Sequence, residues 1–210
     1  MIMDLIFEAE RMPNLDESLD ASSLSYKSGG KGSNTAVAIY RAQHKNPNAQ
    51  KSSEPLNGNS SPGNSKTQRQ NHSERTADAG QDVEVAVYIN TTVGDDAFGR
   101  QLKKSLQQND VDVTGVRTST KEQTGTCAVF VEEGTGNSPY IGYPGANTNW
   151  TPRQQDSVEC LARGNTPDLI VSHLETKRET IESVLATASA HGVDTLLNPS
   201  PVFYLLSSVY

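Results

Sequence analysis

Hydrophobic positions along this chain come in short bursts divided by polar turns, and the spacing inside each burst separates strands from helices. Leu5-Ile6-Phe7-Glu8-Ala9, behind Asp4, reads as the end of one strand or the start of another before Met12-Pro13-Asn14 breaks it. Ser22 to Lys27 reads as extended, and Thr35 to Ala42 as a helix. Val83 to Ile89 predicts a strand; Phe98, Leu102 and Leu106 then recur at a spacing of four, predicting a helix with one core-facing stripe, capped by Asp95 or Asp96. Thr124 to Glu132 and Pro139 to Tyr143 predict a hairpin around Gly134-Thr135-Gly136-Asn137. Thr151-Pro152 marks a helix start and Gly164 its stop, with Val158 and Leu161 on the buried face.

The last third is the most regular. Asp168 to Leu174 reads as an apolar strand, Ile181, Val184, Leu185 and Ala188 as the face of a helix ending near Gly192, and Val193 to Leu197 as another strand. A strand, a crossover helix and a second strand imply a parallel pair. The expected class is therefore α/β, an open, mostly parallel, Rossmann-like sheet flanked by helices, with the 124–143 hairpin as a small β appendage. In such sheets ligands bind beyond the carboxyl ends of the strands. Asp95, Glu175 and Asn198 each follow an apolar strand, and Asp4 sits beside one, so all four are candidates for one crevice, with a cap or a turn residue as the plainer reading of Asp95 and Asn198.

Composition changes that picture in one place. Hydrophobic residues make up 34% of the chain, low for a packed domain, and the deficit is concentrated in 44–82, rich in Asn, Ser, Gln, Gly, Lys and Pro with Leu56 almost its only large aliphatic. This stretch is expected to be a disordered insertion within one domain running through 1–210, the alternative being an interdomain linker. The net charge of -7, with no long basic run, argues against a nucleic-acid partner, and no apolar run is long enough to cross a bilayer. Cys127 and Cys160 stand far apart without ligand spacing, so reduced thiols in a cytoplasmic protein are expected, with no structural zinc. The apolar start and the apolar run from Val202 to Tyr210 suggest a portion of a larger fold.

The richest chemistry lies in Gly29-Gly30-Lys31-Gly32-Ser33-Asn34, which runs into the first helix. Glycines allow close backbone approach, while Lys31, Asn34 and the free N–H groups of a helix start suit a polyhydroxylated or anionic small molecule. A glycine turn with a solvated lysine is the plainer reading. A Walker phosphate loop is excluded, because Lys31 is followed by Gly32 and the residue five before Gly30 is Ser25.

Taken together these segments resemble the ribokinase branch of the PfkB carbohydrate kinases. Gly29 to Asn34 is similar to that family's GGKGAN signature, Val93-Gly94-Asp95-Asp96-Ala97-Phe98-Gly99 to its VGDDxFG segment, and Gly145-Ala146-Asn147 to the GAN that follows its lid; Leu174-Glu175 and Leu197-Asn198-Pro199 resemble its LE and LNPAP elements. The resemblance implies a ribokinase-like fold and ATP-dependent phosphorylation of the ribose 5-hydroxyl with Mg²⁺. It implies that Asp4, Gly30, Lys31, Asn34 and Glu175 hold the sugar, and that 124–143 is a lid, able also to serve as the clasp of a homodimer. Two departures accompany it. Ile2 stands where the family carries Asn, and the family's nucleotide half, with its N-x-x-E and GAGD motifs, is expected to be missing, leaving no catalytic base, no nucleotide-binding residue and no turnover in this chain alone.

Overall fold

A computed structural model describes residues 1–43, 85–152 and 157–200. The expected insertion at 44–82 and the apolar run from Val202 to Tyr210 lie outside the described residues.

Strands β1 (Ile2–Ala9) and β2 (Ser23–Gly29) open the chain, followed by helix α1 (Lys31–Gln43). After residue 85 come β3 (Thr91–Gly94), α2 (Ala97–Gln107), β4 (Val116–Ser119), β5 (Thr126–Glu132) and β6 (Tyr140–Tyr143). Two short 3₁₀ turns, Gly145–Asn149 and Val158–Ala162, lead to β7 (Leu169–His173), α3 (Arg178–Ala190) and β8 (Asp194–Asn198).

The pairings fall into three sheets: β2-β1-β5-β6, β3-β4 and β7-β8. β1/β5, β3/β4 and β7/β8 are parallel; β1/β2 and β5/β6 are antiparallel. Both two-stranded sheets are the products of helical crossovers, α2 between β3 and β4 and α3 between β7 and β8. One core gathers Met3, Ala36, Val93, Leu102, Leu106 and Val116 from β1, α1, β3, α2 and β4 with Met1, Val87, Ile89 and Val111 from the connecting segments. A smaller one places Val158, Ala188 and Val193 under β7 with Leu161 and Ile170. The α2 stripe expected from Leu102 and Leu106 is thus the seam of the larger core, with Phe98 packed at its margin.

Four expectations are corrected. Residues 83 and 84 of the strand placed at Val83 to Ile89 lie outside the described residues; over 85–89 there is no strand but an isolated Tyr88–Asp112 bridge, with Val87 and Ile89 buried, and the strand forms at Thr91–Gly94. The cause is local to its partner, where the Asp112 carboxylate accepts from Thr114 N (2.7 Å) and Oγ1 (2.6 Å), a turn that breaks the ladder before β4 begins. The helix expected from Thr151 is a 3₁₀ turn at Val158–Ala162, ended by Arg163 at φ 56° and Gly164 at φ 91°; residues 153–156 lie outside the described residues. The glycine loop is shorter than its signature, because α1 already begins at Lys31, so Lys31, Ser33 and Asn34 are helical. Finally the hairpin is half of a larger unit. β5 pairs with β1 as well as β6, and Asp4 therefore lies inside a strand, opposite Lys27 on one side and Cys127 on the other.

Candidate functional site

The turn between β2 and α1 is built around two close approaches. Gly30 takes φ 96°, a conformation that a side chain disfavours, and a Cβ on Gly29 would lie 2.1 Å from Asp4 Oδ2. Gly29 is therefore glycine so that the Asp4 carboxylate can lie against the backbone, whereas nothing stands within 4 Å of a Cβ on Gly32. The turn then delivers Lys31 to the end of β7. Lys31 N donates to Glu175 Oε2 at 2.7 Å, and Lys31 Nζ to Glu175 Oε1 at 3.0 Å. One turn along α1, Thr35 Oγ1 meets His173 Nε2 at 3.0 Å, so the helix start is tied to β7 at two levels.

Charges around this junction feel one another. Burial, reinforced by the negative charge of Glu175, raises the Asp4 carboxyl above its ordinary value of 3.8. Burial lowers His173, with Glu175 opposing and Lys31 assisting. The Cys127 thiol is raised by burial and then by Asp4. The α-amine of Met1, donated to Asn147 Oδ1 at 2.8 Å, is pushed down to about 6 by burial, Glu175 working the other way.

Of the five residues expected to hold a sugar, Asp4, Gly30, Lys31 and Glu175 come together here. The Asn34 side chain is placed elsewhere, lining a cavity of about 440 Å³ between α1 and α2 with Ser28, Ser33 and Arg41. Asp95 is an exposed surface residue paired with Arg100 (3.3 Å), and its neighbour Asp96 is the helix cap, accepting from Gly99 N at 2.8 Å. Asn198 ends β8 opposite His173 and is exposed. Spelling alone also yields an N-x-x-E in Asn14-Leu15-Asp16-Glu17, which the sequence reading passed over. Its Glu17 is engaged on the surface by Arg11 and by Asn14.

Sequence reasoning missed Asn147 as more than part of a signature. It is buried, and its side chain joins Met1, Thr91 and Pro144. The signal available was the family GAN alone, which gives no hint of what its amide touches.

The start of α1 does not hold a phosphate. The first N–H of α1, the place where a phosphate would sit, is taken by the Glu175 carboxylate, and among the described residues no cluster of His, Cys, Asp or Glu has metal-ligand geometry. What the junction offers is two carboxylates and an ammonium near one another, a set that both donates to and accepts from hydroxyl groups.

The fold is α/β with parallel crossovers, and a polar junction lies at the start of α1. The profile of the pfkB family carbohydrate kinases matches residues 71–207, and the chain belongs to that family. Its relatives place it in the ribokinase branch. It is 29% identical over 207 residues to a ribokinase of Schizosaccharomyces pombe, covering 98% of this chain and 52% of the relative. To a deoxyribokinase of Salmonella typhi it is 28% identical over 210 residues, covering 100% and 54%. Among solved structures, Arabidopsis thaliana ribokinase complexed with ribose and ATP superposes with a TM-score of 0.65 at 20% identity, over 95% of this chain and 50% of that one. A Cryptococcus neoformans ribokinase with ADP gives 0.62 at 20%, over 95% and 49%. These superpositions support the fold, and the chain spans about half the length of the curated relatives it matches.

Proposed function

We propose that this chain carries the sugar-binding part of a ribokinase-type kinase, whose whole protein transfers the γ-phosphate of ATP, with Mg²⁺, to the 5-hydroxyl of D-ribose in the cytoplasm. The observation that carries the reading is the junction of Asp4, Lys31 and Glu175 on the turn made by Gly29 and Gly30. Carboxylates accept from vicinal hydroxyls and an ammonium donates to them, and several such bonds together select one pentose epimer. Asn34 joins the sugar by turning out of its cavity. The β5-β6 hairpin acts as the lid over the crevice. No phosphoryl-transfer step is assigned to these residues, whose bonds serve the sugar.

Isothermal titration with D-ribose, 2-deoxy-D-ribose and ATP, alongside a coupled ADP-release assay, tests this. Binding of a pentose without ribose-dependent ADP release is expected. Failure to bind either pentose overturns the sugar site, and turnover by this chain overturns its inactivity. Tighter binding of 2-deoxy-D-ribose would move the substrate towards that of the deoxyribokinase relatives.

A second reading, a catalytically inactive dimerising fragment, is favoured by one surface. The register aligns Tyr26, Leu5, Ala128 and Ile141 across the four-stranded sheet, flanked by Leu24 and Tyr143 on the same face, and Leu24, Tyr26, Ile141 and Tyr143 are exposed. Such a face suits a second copy of the chain.

A further inference from the structure

The site joins a strand and a helix start to one connecting segment. Glu175 lies in the connection between β7 and α3, held by Leu174 N donating to Ser200 O at 3.2 Å and by Thr176 Oγ1 donating to Asn147 O at 3.0 Å. Asp4 lies near the start of β1, and the residue before that strand is gripped by Asn147: Nδ2 donates to Met1 O at 2.7 Å and Oδ1 accepts from Met1 N at 2.8 Å. The same amide reaches β3 and its own turn, Oδ1 accepting from Thr91 Oγ1 at 3.2 Å and Nδ2 donating to Pro144 O at 2.9 Å. Space around it is closed, for a Cβ on Gly125 would lie 2.4 Å from Asn147 Nδ2.

We propose that Asn147 is the positioning residue of the crevice, fixing the Glu175 connection against the start of β1 and so setting how far apart the two carboxylates stand. The inference deepens the sugar-site reading and rests on it. Asn147 touches no sugar. Its backbone carbonyl accepts from Thr176, one residue after Glu175, and its side-chain amide holds Met1, three before Asp4. A buried side-chain amide is suited to anchoring that carbonyl, because it offers two donors and an acceptor in one plane and all of them are used, on Met1, Thr91 and Pro144. An Asp at the position would lose both donors and bring a third carboxylate towards Asp4 and Glu175.

Replacing Asn147 itself strips several buried partners at once and endangers folding, so the decisive variants cut a single arm. Thr176→Val removes the hydroxyl that holds the Glu175 connection, and Thr176→Ser restores it. Thr180→Val is the control: it deletes a similar bond, Thr180 Oγ1 to Trp150 O at 3.2 Å, on the same side of the fold but without a link to Asn147. Two readouts are taken on the full chain, ribose affinity by titration and amide hydrogen exchange at Lys31, whose N–H reports directly whether the Glu175 carboxylate is in place. Thr176→Val should weaken ribose binding and speed Lys31 exchange by about fivefold each, with Thr176→Ser near wild type and Thr180→Val altering neither. Unchanged Lys31 exchange in Thr176→Val overturns the inference, as does an equal change in Thr176→Ser or Thr180→Val. If Lys31 exchange responds as expected while wild type binds no pentose, the positioning role stands and the sugar reading falls.

Discussion

Lys31 and Glu175, 144 positions apart, meet twice, once through the lysine's backbone N–H and once through its ammonium. The backbone bond fixes the carboxylate at the helix start whatever the side chain does, while the ion pair, only partly buried, holds the ammonium over the crevice. Glu175→Gln keeps an acceptor for the amide and removes the charge. Fold stability should change by less than about 1 kcal/mol, since partly exposed ion pairs contribute little. Ribose affinity should fall by about tenfold or more, because hydrogen bonds to charged groups are worth roughly 1.5–3 kcal/mol. Titration calorimetry beside urea unfolding separates the two effects.

Asp96 does the work that the sequence offered to either of two aspartates. It caps α2 through Gly99 N and also accepts from Thr124 N (2.7 Å) and Thr124 Oγ1 (2.7 Å), joining the helix to the approach of β5. Burial works against its charge, yet the bonds from Thr124 and Gly99, with Arg100 nearby, outweigh this and hold its pKa below the ordinary 3.8. A depressed carboxylate stabilises the fold above the unfolded value and loses that contribution as pH falls through the folded value. Asp96→Ala should cost about 2–4 kcal/mol at pH 7, a lost cap plus lost bonds to a charge. The gap from wild type should close as urea titrations are carried below pH 3.8.

How legible this was depended on whether a signal was local. The α2 stripe, the β7-α3-β8 crossover and the hairpin could be read because period, caps and turns lie within a few residues. The β3 boundary could not, since it is set by an Asp112–Thr114 turn ahead of the partner strand β4. Of the site, Lys31 and Glu175 were readable from family signatures, but the reason for Gly29 was hidden: it depends on a carboxylate arriving from β1. Asn147 was hidden for the same reason, its partners lying at Met1, Thr91 and Thr176.

The α-amine of Met1 gives the fold a pH dependence near neutrality. Its pKa falls from 8.0 to about 6 on burial, so between these values the unfolded chain binds the proton and the folded chain does not. Stability therefore rises with pH across that window, by about 2–3 kcal/mol in all at roughly 1.4 kcal/mol per unit. His173, lowered from 6.5, acts in the same direction but only below that value, leaving the upper part of the window to the amine. Nα-acetylation keeps an N–H for Asn147 and removes the titration. Acetylated chain should show a flat stability from pH 6.5 to 8 by urea unfolding, where the unmodified chain climbs.

Gly99 should reverse the usual helix rule. Within an exposed helix, Gly→Ala stabilises by up to about 1 kcal/mol. Here a Cβ would lie 2.3 Å from Gly94 O and 2.9 Å from Thr124 Oγ1, so the added methyl meets backbone and the very hydroxyl that Asp96 binds. Gly99→Ala should destabilise by about 2 kcal/mol or more, the range of an overpacked core. Gly32→Ala, with open space around its Cβ, should be neutral or mildly stabilising inside α1. Thermal unfolding of the pair decides whether packing or propensity rules at these glycines.

The apolar face of the four-stranded sheet makes the last prediction. Ile141 is 72% exposed and Tyr26 50%, although Tyr26 keeps a ring contact with Phe98 at 6.0 Å. Both belong to a cross-strand row that includes no charged residue, so two copies of a chain with net charge -7 can meet there without placing like charges in contact. Sedimentation velocity of the wild-type chain should show a dimer. Ile141→Asp, at a position with little to lose within its own subunit, should give a monomer whose unfolding midpoint is close to that of the dissociated wild type, since exposed substitutions usually stay within about 0.5 kcal/mol. A monomeric wild type, or an Ile141→Asp chain that still dimerises, removes this face as the clasp.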